Sequence, residues 1–212
     1  MLLVPAVATD PPTVAQLSGS FDPLTIANAA LADAATARAD LVLLVYSART
    51  LPKDGEGPPP LLSARDRIRS MEAFARNRSG ILPALASHGL LVEQAEAARL
   101  RFPRARLFLA MGSDKALQIL DPKWYPDPEA ARSRLFGLAS VLYADRSAEE
   151  GLVERTLARP ENRRWRSSFE RLAIRPEVAA VSSRDVRDRL TRGEDVRPLV
   201  PPQVHPFLPQ SG

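Results

Sequence analysis

The chain of 212 residues contains no cysteine. This absence excludes a disulfide framework, a thiol nucleophile and a thiolate metal site, and it agrees with a cytoplasmic protein. The chain also lacks any apolar run near the roughly 20 residues that a membrane-spanning helix needs, so we expect no membrane partner. Its first residues, Met-Leu-Leu-Val-Pro-Ala-Val-Ala, include no basic residue and are interrupted by Pro5, which makes them a poor export signal. We therefore predict a cytoplasmic location.

Lysine is scarce, since only Lys53, Lys115 and Lys123 are lysines. The formal charge of +4 therefore depends on arginine, whose planar guanidinium suits bidentate contacts to phosphate. Acidic residues are interspersed almost everywhere, and the densest basic run, Arg163-Arg164-Trp165-Arg166, follows Pro160 in a predicted connector. We interpret that run as solvated surface and expect no nucleic-acid partner.

The order of secondary-structure patterns predicts an α/β fold. The length favours one domain, which we place at residues 13–208 after a loose leader of residues 1–12. Strands alternate with helices along it, which predicts a parallel sheet with helices on both faces and ligands outside the carboxyl ends of the strands. Strands are predicted at residues 13–18, 41–46, 107–111, 136–143 and 171–174, and helices at residues 28–39, 63–76, 92–102, 148–159 and 183–191, with another beginning near Gly112.

A loop is predicted between the second strand and the helix that follows it. Residues 47–60 contain Lys53, two glycines and three consecutive prolines. This composition predicts a mobile segment near the carboxyl end of a strand, where loops often cover a substrate.

The first motif is Leu17-Ser-Gly-Ser-Phe-Asp-Pro, at the end of the first predicted strand. Gly19 allows the backbone to approach a phosphate, and the next helix presents free N–H groups at its positive end. The residues alone are equally compatible with a plain strand-to-helix turn that is capped by Asp22-Pro23.

The second motif is Val181-Ser-Ser-Arg-Asp-Val-Arg187, at the start of the last predicted helix. Ser182 and Ser183 can cap the helix while donating hydroxyl hydrogen bonds, and Arg187, about one turn later, can point back at a phosphate. The alternative is an N-capped surface helix, which would need two serines but no particular arginine.

Both motifs resemble signatures of the nucleotidylyltransferase superfamily. Residues 190–204, Leu-Thr-Arg-Gly-Glu-Asp-Val-Arg-Pro-Leu-Val-Pro-Pro-Gln-Val, and residues 108–124, Phe-Leu-Ala-Met-Gly-Ser-Asp-Lys-Ala-Leu-Gln-Ile-Leu-Asp-Pro-Lys-Trp, extend the likeness. They are most similar to nicotinate or nicotinamide mononucleotide adenylyltransferase, and the resemblance, over about residues 13–208, implies a Rossmann-like fold. The superfamily's His-x-Gly-His positions hold Thr25-Ile-Ala-Asn28, and the only histidines, His88 and His205, lie far away in the sequence.

The resemblance implies a role for each matching residue. Ser182, Ser183 and Arg187 would bind the β- and γ-phosphates of ATP, and Gly112 and Asp114 the adenosine ribose. Trp124 would stack on the pyridine ring of the acceptor, although an interfacial packing role is equally compatible with its residue type. Arg67 falls where the family carries a helix arginine. The implied ATP contacts are Gly19, Ser20, Phe21, Gly112, Asp114, Ser182, Ser183 and Arg187, and the implied acceptor contacts are Lys53 and Trp124.

Two functions follow from this resemblance. In the first, the protein transfers AMP from ATP to nicotinate or nicotinamide mononucleotide, or to a related phosphate monoester in NAD biosynthesis. Thr25, Asn28 and Arg187 are then the catalytic residues, and Mg²⁺ accompanies ATP without a metal site in the protein itself. In the second, it is a catalytically impaired descendant that binds a nucleotide or a partner. The family's Tyr-Thr-x-x-Thr stretch is absent near residues 88–93, which leaves the acceptor undefined, and homo-oligomerisation stays open.

Overall fold

A computed structural model describes residues 1–7, 10–47, 60–87, 89–121, 127–146 and 150–209. Within these ranges the strands are β1 Leu2–Leu3, β2 Thr13–Gly19, β3 Leu41–Ser47, β4 Ile81–Ala86, β5 Arg106–Gly112, β6 Ala139–Ala144 and β7 Phe169–Arg171. The α-helices are α1 Ile26–Ala35, α2 Ala64–Ala75, α3 Leu91–Arg101, α4 Ser113–Leu120, α5 Pro128–Leu138, α6 Leu152–Leu157, α7 Pro176–Ala179 and α8 Ser183–Thr191. Short 3₁₀ helices lie at Arg163–Ser168, Arg197–Leu199 and Pro202–Phe207. None of the described helices is long and apolar enough to cross a membrane.

The strands form one sheet in the order β1-β4-β3-β2-β5-β6-β7. Every neighbouring pair is parallel except β1 and β4, which are antiparallel. The chain moves outward from β2 through β3 to β4 and then crosses to β5 on the other side of β2. The order therefore reverses between β2 and β5, which is where open α/β sheets bind ligands. The predicted parallel α/β sheet is confirmed.

Helices cover both faces of the sheet, because the strand side chains alternate between two apolar clusters. In β3, Leu43 packs into the cluster of one face and Leu44 into that of the other. The first cluster includes Ala116 and Ile119 of α4, together with apolar residues of α3, α5 and α6. The second includes Val186 of α8, together with apolar residues of α1 and α2. Elements from both faces therefore reach the carboxyl edge of β2.

Several elements differ from the sequence prediction. Leu2 and Leu3 pair with Ala86 and Leu85 of β4, although we predicted a loose leader there. The prediction missed β4 itself because Pro83 interrupts its pattern; proline cannot donate a ladder hydrogen bond and usually argues against a strand. It also missed α5, whose signal is the Asp127 cap followed by a proline.

Three predicted boundaries were also wrong. Residues 136–138, predicted as strand, are the last turn of α5, so β6 begins at Ala139. The last strand is Phe169–Arg171 instead of residues 171–174. Helix α6 is Leu152–Leu157, which is shorter than the predicted helix of residues 148–159. By contrast, α8 has the predicted bounds.

Candidate functional site

The two motifs of the sequence meet at the carboxyl edge of the sheet. β2 ends at Gly19 and β5 ends at Gly112, on the two sides of the point where the strand order reverses. The turn of residues 19–25 joins β2 to α1, and the first residues of α8 lie against it, as the contacts below show. We call residues 18–22 the anion turn.

Close packing shapes the anion turn. The side chain of Phe21 is 1% exposed, and its backbone has a φ of +46°, which is uncommon outside glycine. A Cβ at Gly19 would lie 3.2 Å from the Phe21 ring, tighter than ordinary van der Waals contact. Glycine at position 19 thus leaves room for the Phe21 ring within the turn.

The residues in the motif's histidine positions form a capping box. The Thr25 hydroxyl accepts a hydrogen bond from the Asn28 backbone amide at 3.3 Å and donates one to Asn28 Oδ1 at 3.1 Å. Asn28 Oδ1 also accepts from the Thr25 backbone amide at 3.0 Å. Thr25 is 1% exposed, so its hydroxyl is turned inward to the cap. The side-chain nitrogen Nδ2 of Asn28 takes no part in this box, and it is the donor group of that side chain.

A second capping box begins α8. The Ser182 hydroxyl donates to Asp185 Oδ2 at 2.6 Å and accepts from the Asp185 amide at 3.1 Å. The Ser183 hydroxyl donates to the carbonyl of Pro23 at 2.9 Å, across 160 positions of sequence. The two helix N-termini, each a positive dipole end, are therefore adjacent.

Arg187 strengthens this junction. Its Nη1 donates to the Asp22 carbonyl at 2.8 Å and lies 3.6 Å from Asp22 Oδ2. Its Nε is buried without a hydrogen-bond partner among the described residues. The Arg187 side chain is 21% exposed, so part of it is open to solvent beside the anion turn.

Asp22 is the buried carboxylate that the arginines surround. It is 5% exposed and accepts backbone hydrogen bonds from Leu61 at 3.1 Å and Leu62 at 2.8 Å. Arg67 Nη2 lies 3.4 Å from Asp22 Oδ2, and Arg67 Nη1 lies 3.5 Å from the Ser20 carbonyl. Arg67 also donates from Nε to the Leu62 carbonyl at 2.9 Å. One carboxylate thus joins the anion turn, the start of α2 and two guanidinium groups.

A third cation reaches the turn from the opposite face of the sheet. Lys115 of α4 donates from Nζ to the Ser18 carbonyl at 2.7 Å. The Ser18 hydroxyl donates to Gln94 Oε1 at 2.6 Å. Residues 18–22 therefore present three backbone carbonyls to three cationic side chains from different helices, against one carboxylate within the turn.

The end of β5 places Gly112 and Asp114 on the same edge. Asp114 Oδ1 lies 3.6 Å from Arg146 Nε, and the Arg146 amide donates to the Ser113 hydroxyl at 3.1 Å. A Cβ at Gly112 would lie 2.7 Å from Asp114 Oδ1, so a larger residue would displace that carboxylate. The backbone φ at Gly112 is −76°, so space alone explains the glycine.

Tyr143 lies near the carboxyl end of β6. Burial raises the pKa of the Tyr143 hydroxyl above its usual value, and its hydrogen bond to Glu154, at 2.5 Å, raises the pKa further. Asp145 follows two residues later, with its Oδ2 3.1 Å from Arg171 Nη2. Tyr143 therefore stays neutral at ordinary pH.

Two predicted site residues lie outside the described residues. These are Lys53, with most of the loop predicted at residues 47–60, and Trp124. His88, for which no site role was predicted, also lies outside them. His205 is described, and its Nε2 lies 3.1 Å from the Arg197 carbonyl in the C-terminal segment. Among the described residues no group of three or more His, Cys, Asp or Glu side chains could hold a metal ion.

Sequence reasoning missed part of this cluster. It took Asp22 only as a possible cap and gave Lys115 and Arg146 no role, because each becomes relevant only through a contact between distant segments. Arg67 had a weak signal in its place near the start of a predicted helix. An acidic residue three positions after the motif glycine, between two predicted apolar elements, would have been a reason to search for basic partners.

Comparison with known proteins shows which sequences and folds this chain resembles. The chain matches a probable nicotinate-nucleotide adenylyltransferase of Chromohalobacter salexigens with 32% identity over 112 residues, which is 48% of this chain and 48% of that protein. The match thus spans about half the length of that curated relative. The fold is similar, with a TM-score of 0.58 and 15% identity over 92% of this chain and 90% of the other, to a crystal structure from Vibrio parahaemolyticus provisionally named nicotinate-nucleotide adenylyltransferase. The cytidylyltransferase-like family matches residues 17–189, and this chain belongs to that family, within the nucleotidylyltransferase superfamily.

Proposed function

We propose that this protein binds ATP along the anion turn and transfers AMP to nicotinate or nicotinamide mononucleotide, or to a related phosphate monoester. The observation that carries the proposal is the junction of the two motifs. Ser183 and Arg187 of α8 contact Pro23 and Asp22, so the residues expected to hold the phosphates lie together at the point where the strand order reverses.

Each residue has a place in the proposed complex. The backbone of Gly19, Ser20 and Phe21 would approach the triphosphate, and the starts of α1 and α8 would offer positive dipole ends. Arg187, with Ser182 and Ser183, would bind the β- and γ-phosphates. Gly112 and Asp114 would bind the ribose hydroxyls, and Lys53 and Trp124 the acceptor.

Mg²⁺ would enter this site as part of the ATP complex. Asp22 is already satisfied by two backbone amides and two arginines, and Asp114 is paired with Arg146, so neither is a ready-made ligand. A Mg²⁺ ion that keeps several waters and binds phosphate oxygens fits a site of this kind.

The reaction needs positioning more than covalent chemistry. An oxygen of the acceptor phosphate attacks the α-phosphorus of ATP, the bond to the bridging oxygen breaks, and pyrophosphate leaves. The protein must therefore hold two anions in line and offset the charge at the α-phosphate. Arg187 would offset charge on the departing pyrophosphate, and Asn28 Nδ2 would donate at the α-phosphate.

One observation favours a second function, binding with impaired catalysis. The Thr25 hydroxyl is buried and donates to Asn28 Oδ1, so it would have to break the capping box to reach a phosphate. The superfamily's histidine pair would instead supply charged donors. Losing a preorganised donor costs on the order of a hundred- to a thousandfold in turnover.

A product assay separates these functions. The protein is incubated with ATP, Mg²⁺ and a panel of mononucleotides, and dinucleotide products are separated by chromatography. We expect slow product formation from nicotinate or nicotinamide mononucleotide and none from the matching nucleosides, which lack the attacking phosphate.

A histidine-restored variant is the matched comparison. Thr25→His with Ala27→Gly and Asn28→His should raise turnover at least about tenfold if the remaining site is intact. Fast turnover by the parent that the three changes leave unaltered would contradict the proposed role of Asn28. If neither form makes product while both bind ATP, the binding function is supported.

A further inference from the structure

The cationic side chains around the anion turn come from both faces of the sheet. Arg67 and Arg187 belong to α2 and α8, which pack on one apolar cluster. Lys115 belongs to α4, whose Ala116 and Ile119 pack in the cluster of the opposite face. A ligand at the carboxyl ends of β2 and β5 would therefore lie between Lys115 and the arginines.

The ammonium group of Lys115 lies against Ser18, the residue before the motif glycine. Its Nζ donates to the Ser18 carbonyl at 2.7 Å, and Gly19 follows directly. The neighbouring Ser18 hydroxyl is bonded to Gln94, which is 2% exposed and fixes this end of β2 from the same face. The ammonium group is thus held at the point of the sheet where the backbone can come closest to a phosphate.

The chemistry of an ammonium suits this position. It is a compact positive charge with three donors on a flexible stem, and such a group binds phosphate oxygens. The residues at the histidine positions, Thr25 and Asn28, are neutral. A cation at the end of β2 would restore the missing positive charge without any change in the backbone.

We propose that Lys115 contacts the phosphates of bound ATP and supplies the cationic donor that Thr25 and Asn28 cannot. This inference depends on the proposed function in that it assumes ATP at the anion turn. It goes beyond the proposed function because it assigns the positive charge near the α-phosphate to Lys115 of α4, on the face of the sheet opposite Arg187. Transfer itself is not needed for the contact, so binding alone can test it.

The test is calorimetric titration of ATP and of adenosine, in Mg²⁺ buffer, into the parent protein and Lys115→Met. Methionine keeps most of the side chain's length and apolar volume while removing the charge. We expect ATP affinity to fall about ten- to a hundredfold, the range for a charge-assisted hydrogen bond, with adenosine affinity unchanged. Lys115→Arg should recover most of the ATP affinity. Gln118→Met, an exposed position on the same helix, should leave it unaltered.

The outcomes separate this inference from the proposed function. If Lys115→Met remains folded by circular dichroism and binds ATP as the parent does, the inference is wrong, whether or not AMP is transferred. Equal losses for ATP and adenosine would also overturn it, since they indicate a structural role. If the parent binds ATP through Lys115 but makes no product, the inference holds and only transfer fails. If the parent binds no ATP, both are wrong.

Discussion

Arg187 donates a hydrogen bond of 2.8 Å from Nη1 to the backbone carbonyl of Asp22, a residue 165 positions earlier in the chain. This contact joins the last long helix to the turn that follows the first parallel strand. Because the Asp22 carboxylate also faces Arg67, the same residue holds two helices on the turn. Stability and the proposed binding of ATP would therefore depend on one buried carboxylate.

Replacing that carboxylate should cost stability. Asp22→Asn removes the charge between two guanidinium groups and leaves them close together with no anion. We expect the free energy of unfolding to fall by about 3 kcal/mol, as when one partner of a buried pair is lost. Urea denaturation measures this loss. Asp33→Asn, which removes an exposed partner of Arg78, should change stability by less than about 1 kcal/mol. A loss in Asp22→Asn no larger than in this control would contradict the argument.

The capping box at α1 gives a second stability prediction. Thr25→Ala removes the hydroxyl that accepts from the Asn28 amide, and we expect a loss of about 0.5–2 kcal/mol in the free energy of unfolding. Thr25→Ser keeps the hydroxyl and should lie much closer to the parent. If both variants are equally destabilised, the lost methyl group is the cause and the cap contributes little. Because the histidine-restored variant also lacks the Thr25 hydroxyl, the measurement indicates how much stability that variant loses with the cap.

Tyr143 predicts a pH dependence above its usual pKa. Burial and Glu154 raise the pKa of Tyr143 from the ordinary value of 10.0, so the unfolded chain releases this proton before the folded protein does. The stabilisation is complete below pH 10 and falls as the pH rises above it, by at most about 1.4 kcal/mol per pH unit. Urea denaturation at pH 8 and pH 11 should show a smaller alkaline loss for Tyr143→Phe than for the parent. Equal losses would show that Tyr143 is not responsible.

The sequence predicted the fold where local patterns and tertiary structure agree. The apolar run of β3 and the Ser182 cap of α8 are visible without a structure, and both are at the expected positions. β4 was hidden because Pro83 breaks the strand pattern locally, while its place between β3 and β1 makes the strand favourable in the sheet. β1 has two residues and exists only through its pairing with β4.

The site was predictable only in its parts. Gly19, Ser183 and Arg187 could be singled out because they belong to motifs at helix starts. The cluster of Asp22 with Arg67, and the contact of Lys115 with Ser18, join segments 45 or more positions apart, and no local pattern specifies such contacts. The burial of Thr25 in a capping box was not predictable either, because such a box depends on the backbone geometry of the helix start.

We propose that the junction of α8 with the anion turn binds the phosphates of ATP. The most direct measurement is calorimetric titration of ATP into the parent and Arg187→Ala, with Arg189→Ala as the control. Arg189 lies on the same helix and is half exposed, with Glu194 3.7 Å away. We expect Arg187→Ala to lose about 1.5–3 kcal/mol of binding free energy and Arg189→Ala to bind as the parent does. Unchanged ATP affinity in a folded Arg187→Ala protein would contradict the account.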